Sequence, residues 1–193
     1  MSRGLIVGIS GASGVIYGVR ALQVLRDIGI KTHLVMSRAA QITLAHETDM
    51  KVADVERLAT VSYRAEDIGA DIASGSFRTL GMLIAPCSIR SLSEIASGAT
   101  ASLLSRAADV TLKERRRLVL MVRESPLHAG HLRSMAAVTD MGGIVAPPVP
   151  AFYARPQNLD EMVNHTIGRA LDLFDLDTPI RRWKSESVDR PAG

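Results

Sequence analysis

The sequence predicts an α/β chain: a Rossmann-like, three-layer α/β/α architecture with a central parallel sheet. Three observations carry this. Short apolar runs alternate with helix-compatible segments from Leu5 to Ala146, the pattern of repeated βαβ units. The first run passes directly into a glycine loop that opens a helix. The ends of four predicted strands carry hydrogen-bonding or anion-binding groups: Ser10 to Gly14, Ser37-Arg38, Cys87 to Ser91, and Arg123-Glu124. Ligands of open parallel sheets sit at such strand ends.

Leu5 to Ile9 is the first strand, and Val15 to Ile28 is the first helix. Between them Gly8, Gly11 and Gly14 are spaced G-x-x-G-x-x-G, not G-x-G-x-x-G as in the dinucleotide fingerprint. Glycines there let the backbone turn tightly and approach a ligand closely. Lys31 to Met36 reads as the second strand. An NAD-binding unit would place an acid after it to hold the ribose hydroxyls. Ser37-Arg38 stands there instead, which suits a phosphate, and Ser37 also fits a helix N-cap. Ala39 to His46 continues as helix, followed by Glu47, and Val52 to Ala59 reads as a short amphipathic helix. Tyr63 to Ser76 is polar and rich in small residues, the candidate for a mobile loop over a site.

Gly81 to Ala85 is a buried-strand candidate that Pro86 breaks. Ser88 can cap a helix through Ala96, and Gly98 separates this from a helix over Ala101 to Leu112. Leu118 to Val122 reads as strand, His131 to Met141 as helix, and Ile144 to Ala146 as strand. Pro147, Pro148 and Pro150 force extended backbone. Leu159 to Leu173 is the last long helix, and a polar tail runs from Thr178. The 193 residues fit one domain spanning the whole chain.

Composition narrows the function classes. No run approaches the roughly 18–20 apolar residues of a membrane span. The chain enters its first strand at once, which leaves no room for a signal peptide, and the single cysteine, Cys87, fits a reducing, cytoplasmic setting. Nineteen arginines against four lysines suit phosphate and carboxylate partners. Nucleic acid is not indicated: the one basic run, Arg115 to Arg117, has no interleaved aromatics for stacking. No C-x-x-C or H-E-x-x-H motif marks a metal site. G-x-S-x-G and Walker A motifs are absent as well. Physics alone therefore points to an α/β domain that binds a phosphorylated, mononucleotide-like ligand.

Several blocks go further: Gly11-Ala-Ser-Gly14, His46-Glu-Thr-Asp49, Pro86-Cys-Ser88, Arg106-Ala-Ala-Asp-Val-Thr-Leu-Lys-Glu-Arg115, Leu118-Val-Leu-Met-Val-Arg-Glu124 and Pro150-Ala-Phe-Tyr153. In order, and over nearly the whole chain, they resemble the UbiX/Pad flavin prenyltransferase family. Ser74 to Arg78 is similar to the branch of that family associated with phenolic acid decarboxylases. The resemblance implies transfer of a dimethylallyl group from dimethylallyl phosphate to N5 and C6 of reduced FMN, without metal. The product is prenylated FMN for a UbiD-type decarboxylase. It also implies a homo-oligomer, a dodecamer with sites at subunit junctions.

The same resemblance implies the site residues. Gly11, Ala12 and Ser13 would contact FMN, Ser37 its phosphate, and Ser88, Ile89, Arg90, Ser91 and Arg123 the rest of the flavin. Ser74, Arg106, Lys113, Tyr153 and Arg169 would hold the prenyl phosphate, with Trp183 shielding allylic cation character. Ser13, Glu47 and Lys113 would be the catalytic set, Glu47 in proton transfer and Lys113 at the leaving phosphate. Departures from the family pattern are Val122 for a proline, Arg90 for a glycine, His131-Leu-Arg-Ser-Met135, and no aromatic just before Ser74. Two other readings stay open: a flavin-dependent cysteine decarboxylase of the same fold, and a non-catalytic flavin carrier that serves a phenolic acid decarboxylase.

Overall fold

The structure is a computed structural model that describes residues 4–182. Six parallel strands form one sheet: β1 (Gly4–Ile9), β2 (Thr32–Met36), β3 (Val61–Tyr63), β4 (Thr79–Cys87), β5 (Arg117–Val122) and β6 (Ile144–Val145). Their order across the sheet is β3-β2-β1-β4-β5-β6. The helices are α1 (Val15–Asp27), α2 (Arg38–Glu47), α3 (Val52–Glu56), α4 (Ile89–Ser97), α5 (Leu103–Lys113), α6 (Ala129–Asp140) and α7 (Leu159–Asp172). Among the described residues no helix is long and apolar enough to cross a membrane.

Successive side chains of a strand point to opposite faces, and β1 shows the result. Leu5, Val7 and Ile9 enter one core with α1, α2 and α7, while Ile6 enters the other with α4 and α5. Two separate cores on one sheet are the three-layer arrangement predicted. Strands are added to the left of β1 first, then to the right beginning with β4. The topological switch thus falls between β1 and β4, and the ligand crevice lies outside their carboxyl ends.

Several features differ from expectation. β3 is a three-residue, largely exposed edge strand, too short to show a periodic signal. β4 runs to Cys87 rather than stopping at Ala85. Pro86 has no N–H to give the ladder, and the pairing with β5 shifts register between Ile84 and Cys87 instead of ending. The helix expected at His131 starts at Ala129, because His128 caps it by accepting from the Gly130 N–H at 3.0 Å. The segment expected to be mobile is docked. Ile72 is buried within it, and the Arg116 guanidinium donates to the Gly75 and Phe77 carbonyls.

Candidate functional site

The carboxyl edge is built around Ser10, which is buried. Its hydroxyl donates to the Pro86 carbonyl at 2.9 Å and accepts from the Ser88 N–H at 2.7 Å. This ties the end of β1 to the end of β4. Gly11 follows, where a Cβ would stand 2.3 Å from the Ala39 Cβ. Only glycine lets the loop lie this close to the first turn of α2. Ser37 donates its N–H to the Ile9 carbonyl at 2.9 Å, and its Oγ caps α2 by accepting from the Ala40 N–H at 3.1 Å. Ser88 caps α4 in the same way through the Ser91 N–H at 3.3 Å. Arg123 follows β5 with its N–H on the Cys87 carbonyl at 3.1 Å and its side chain exposed. Ala12 is buried, Ser13 faces solvent, Ile89 is half-buried, and Arg90 is turned outward to Glu94 at 2.9 Å. Of the flavin-site residues expected from the sequence, Gly11, Ala12, Ser13, Ser37, Ser88 and Arg123 thus follow the carboxyl ends of neighbouring strands, while the Arg90 side chain turns out to solvent.

Glu47 also reaches the ligand crevice, from the far end of α2. Its carboxylate accepts from the Gly14 N–H at 2.8 Å and from the Val15 N–H at 3.0 Å. Gly14 is the N-cap of α1 and has no side chain to cap with, and the first turn of α1 has no acid. Glu47 supplies both the cap and the negative charge that a helix N-terminus favours. Burial pushes its carboxyl up, but hydrogen bonds from Ser13, Gly14 and Val15 and the Arg123 charge outweigh this and hold it below the usual carboxylate range. Glu47 is thus an exposed helix-end carboxylate held in place by the first turn of α1.

The remaining predicted residues lie elsewhere. Lys113 ends α5, and Ser74 precedes β4, so both stand at the amino edge of the sheet. They do come together: a Cβ on Gly75 would be 2.7 Å from the Lys113 Nζ. Lys113 pairs with Glu114 at 2.6 Å, and the Ser74 and Ser76 hydroxyls share a bond of 2.9 Å. Arg106 sits two turns back along α5, paired with Asp109 at 2.8 Å. Arg169 lines a third place, a cleft of about 220 Å³ beside α7 with His165 in its wall. There the Tyr153 ring meets buried His165 edge-on at 5.4 Å, and Arg169 pairs with Asp172. Trp183 lies outside the described residues. The length of β5 separates Lys113 from Arg123, about 20 Å for six residues of strand. The described members of the prenyl-phosphate set expected from sequence are therefore divided between two places, the Ser74–Lys113 corner with Arg106 on α5 and the surroundings of His165.

Other candidates drop out on chemistry. Burial pushes the Cys87 thiol up to about 12, and its Sγ points to the Ser88 carbonyl at 3.6 Å, so it is a packing residue and no nucleophile. Among the described residues, no three His, Cys, Asp or Glu side chains are grouped to hold a metal ion. Sequence reasoning missed Arg116. It stands in an arginine run, and nothing in the run marks which member turns inward.

Comparison with known proteins places these observations. The family model described as Flavoprotein matches residues 1–170. The flavin prenyltransferase UbiX of Escherichia coli (strain K12) is 59% identical over 184 residues, covering 93% of this chain and 97% of that protein. A crystal structure of a UbiX protein in complex with FMN and dimethylallyl pyrophosphate matches with a TM-score of 0.94 at 45% identity, over 96% of this chain and 100% of that one. A dodecameric FMN-dependent UbiX-like decarboxylase from Escherichia coli O157:H7 matches with a TM-score of 0.92 at 48% identity, over 94% of this chain and 99% of that one.

Proposed function

The chain belongs to the flavoprotein family and, within it, to the UbiX flavin prenyltransferases, and from that premise we propose how its residues divide the work of the reaction. It is a metal-independent enzyme that joins the dimethylallyl group of dimethylallyl phosphate to N5 and C6 of reduced FMN. The single observation that carries the flavin assignment is the crevice at the β1/β4 switch. It is lined by serine caps and an arginine, with no acid after β2 to select a dinucleotide ribose. FMN fits there: Gly11 lets the loop lie against α2, Ser13 and Ser37 face the FMN phosphate, and Ser88 to Ser91 with Arg123 hold the remainder.

Reduced FMN supplies the nucleophilic atoms. The chain supplies charge and orientation. Lys113, with Ser74 and Arg106, neutralises charge growing on the departing phosphate. Tyr153 and Arg169 hold the same phosphate, and the family resemblance gives Trp183, outside the described residues, the task of shielding allylic cation character. Glu47 serves in proton transfer. Its carboxylate and the retained phosphate together handle the proton that leaves C6. One chain presents the flavin crevice and the Lys113 corner at opposite edges of its sheet. A working site therefore needs a second copy, which supports a dodecamer like that of the relative. The product goes to a UbiD-type decarboxylase.

Identity of 59% to a flavin prenyltransferase favours transfer over the cysteine-decarboxylase and carrier readings. Anaerobic incubation with reduced FMN and dimethylallyl phosphate, without metal, tests the proposal. Mass analysis is expected to find a flavin heavier by one dimethylallyl unit. Unmodified FMN beside intact donor would overturn it.

A further inference from the structure

We propose that Arg116 is the positioning residue of the donor-phosphate corner, fixing the turn from Ser74 to Phe77 against Lys113. The inference rests on the reading that Ser74 and Lys113 bind that phosphate. Arg116 precedes β5, and its side chain is only 17% exposed. One guanidinium nitrogen donates to the Phe77 carbonyl at 2.6 Å and another to the Gly75 carbonyl at 2.7 Å. A rigid planar fork holds two carbonyls two residues apart, which a lysine point charge cannot do. These donors are spent on backbone, and the neighbouring acid Glu114 lies at 3.9 Å. Arg116 is thus shaping the turn rather than waiting for an anion.

A second anchor acts from the other side. The Phe77 ring meets His33 edge-on at 5.0 Å, and His33 bonds the Tyr63 hydroxyl at 3.1 Å. Held between these anchors, the turn presses Gly75 onto the Lys113–Glu114 pair. A Cβ there would come 2.2 Å from the Glu114 Oε1 and 2.7 Å from the Lys113 Nζ. Both are tips of flexible side chains, so an added methyl group moves the ammonium and not the fold. The absence of a side chain at 75 and the fork at 116 together set where the Lys113 charge stands.

The test measures donor KM, kcat, FMN affinity and melting temperature for Arg116→Lys and Gly75→Ala, beside Lys113→Ala. Misplacing a binding group by an ångström costs on the order of 10- to 100-fold. Arg116→Lys is expected to raise donor KM by that order with a smaller change in kcat and unchanged FMN affinity. Gly75→Ala is expected to raise donor KM at an unchanged melting temperature. Added guanidinium ion is expected to lower the donor KM of Arg116→Ala towards wild type. If Lys113→Ala weakens donor binding and Arg116→Lys does not, the proposal is overturned. If Arg116→Lys loses FMN affinity along with donor affinity, Arg116 is a general fold residue and the proposal is overturned. An unchanged donor KM in Lys113→Ala instead overturns the underlying site reading.

Discussion

Glu47→Gln is expected to slow turnover by ~10²–10⁴-fold, the range for removing a group that serves proton transfer. The carboxylate is held by Gly14 and Val15, beside the Ser13 hydroxyl and the Arg123 charge. Glutamine keeps the shape but loses the charge, and it turns an N–H₂ group toward donors that need an acceptor. The same variant has a thermodynamic signature. A carboxylate whose folded-state pKa is depressed contributes stability that is fully present above the ordinary glutamate value, about 4.3, and lost as pH falls through the depressed value. The difference in stability between wild type and Glu47→Gln is therefore largest at neutral pH and shrinks in acid. Its size is about 1 kcal/mol, as for a helix cap with a favourable dipole contact at an exposed site. Near-wild-type turnover with this pH-dependent stability difference intact would leave Glu47 a cap and remove it from the mechanism.

Lys113→Ala is expected to lower the rate by roughly 10–150-fold, the equivalent of a lost charge-assisted contact worth ~1.5–3 kcal/mol. The loss falls on the donor. FMN affinity is expected to stay at the wild-type value, because the proposed contact of Lys113 is with the donor phosphate and not with the flavin. Unreacted FMN and intact dimethylallyl phosphate accumulate in a single turnover. Full-rate product would mean that Lys113 serves only to pair with Glu114.

The carboxyl-edge site was legible in the sequence because it is local. Gly11, Ser37, Ser88 and Arg123 each follow a strand directly, so naming the strands places the residues. The cap roles of Ser37 and Ser88 followed from residue type and were found as expected. Glu47 was harder. Its partners Gly14 and Val15 lie more than thirty residues away, and no spacing rule links the end of one helix to the start of another. The Ser74–Lys113 corner is non-local in the same sense. Periodicity gave the end of α5, but not that the segment before β4 folds onto it. The polar composition of that segment suggested mobility, whereas one buried side chain, Ile72, and the Arg116 fork fix it. β3 gave no signal, having three residues and little burial, and its pairing to β2 is decided by the sheet. The path of β4 through Pro86 was hidden because proline ordinarily ends a ladder, and here Ser10 takes up the Pro86 carbonyl instead.

Glu47 and Lys113 stand at opposite edges of one sheet, and in the proposed site they meet across a junction between copies. Co-expression of the Glu47→Gln and Lys113→Ala chains, followed by a turnover assay of the mixed oligomers, tests this most directly. With random mixing, about a quarter of junctions combine an intact Glu47 from one chain with an intact Lys113 from another. The expected result is activity restored towards that fraction of wild type from two variants that are each nearly inactive. Mixed oligomers no more active than either variant alone would contradict a site shared between copies.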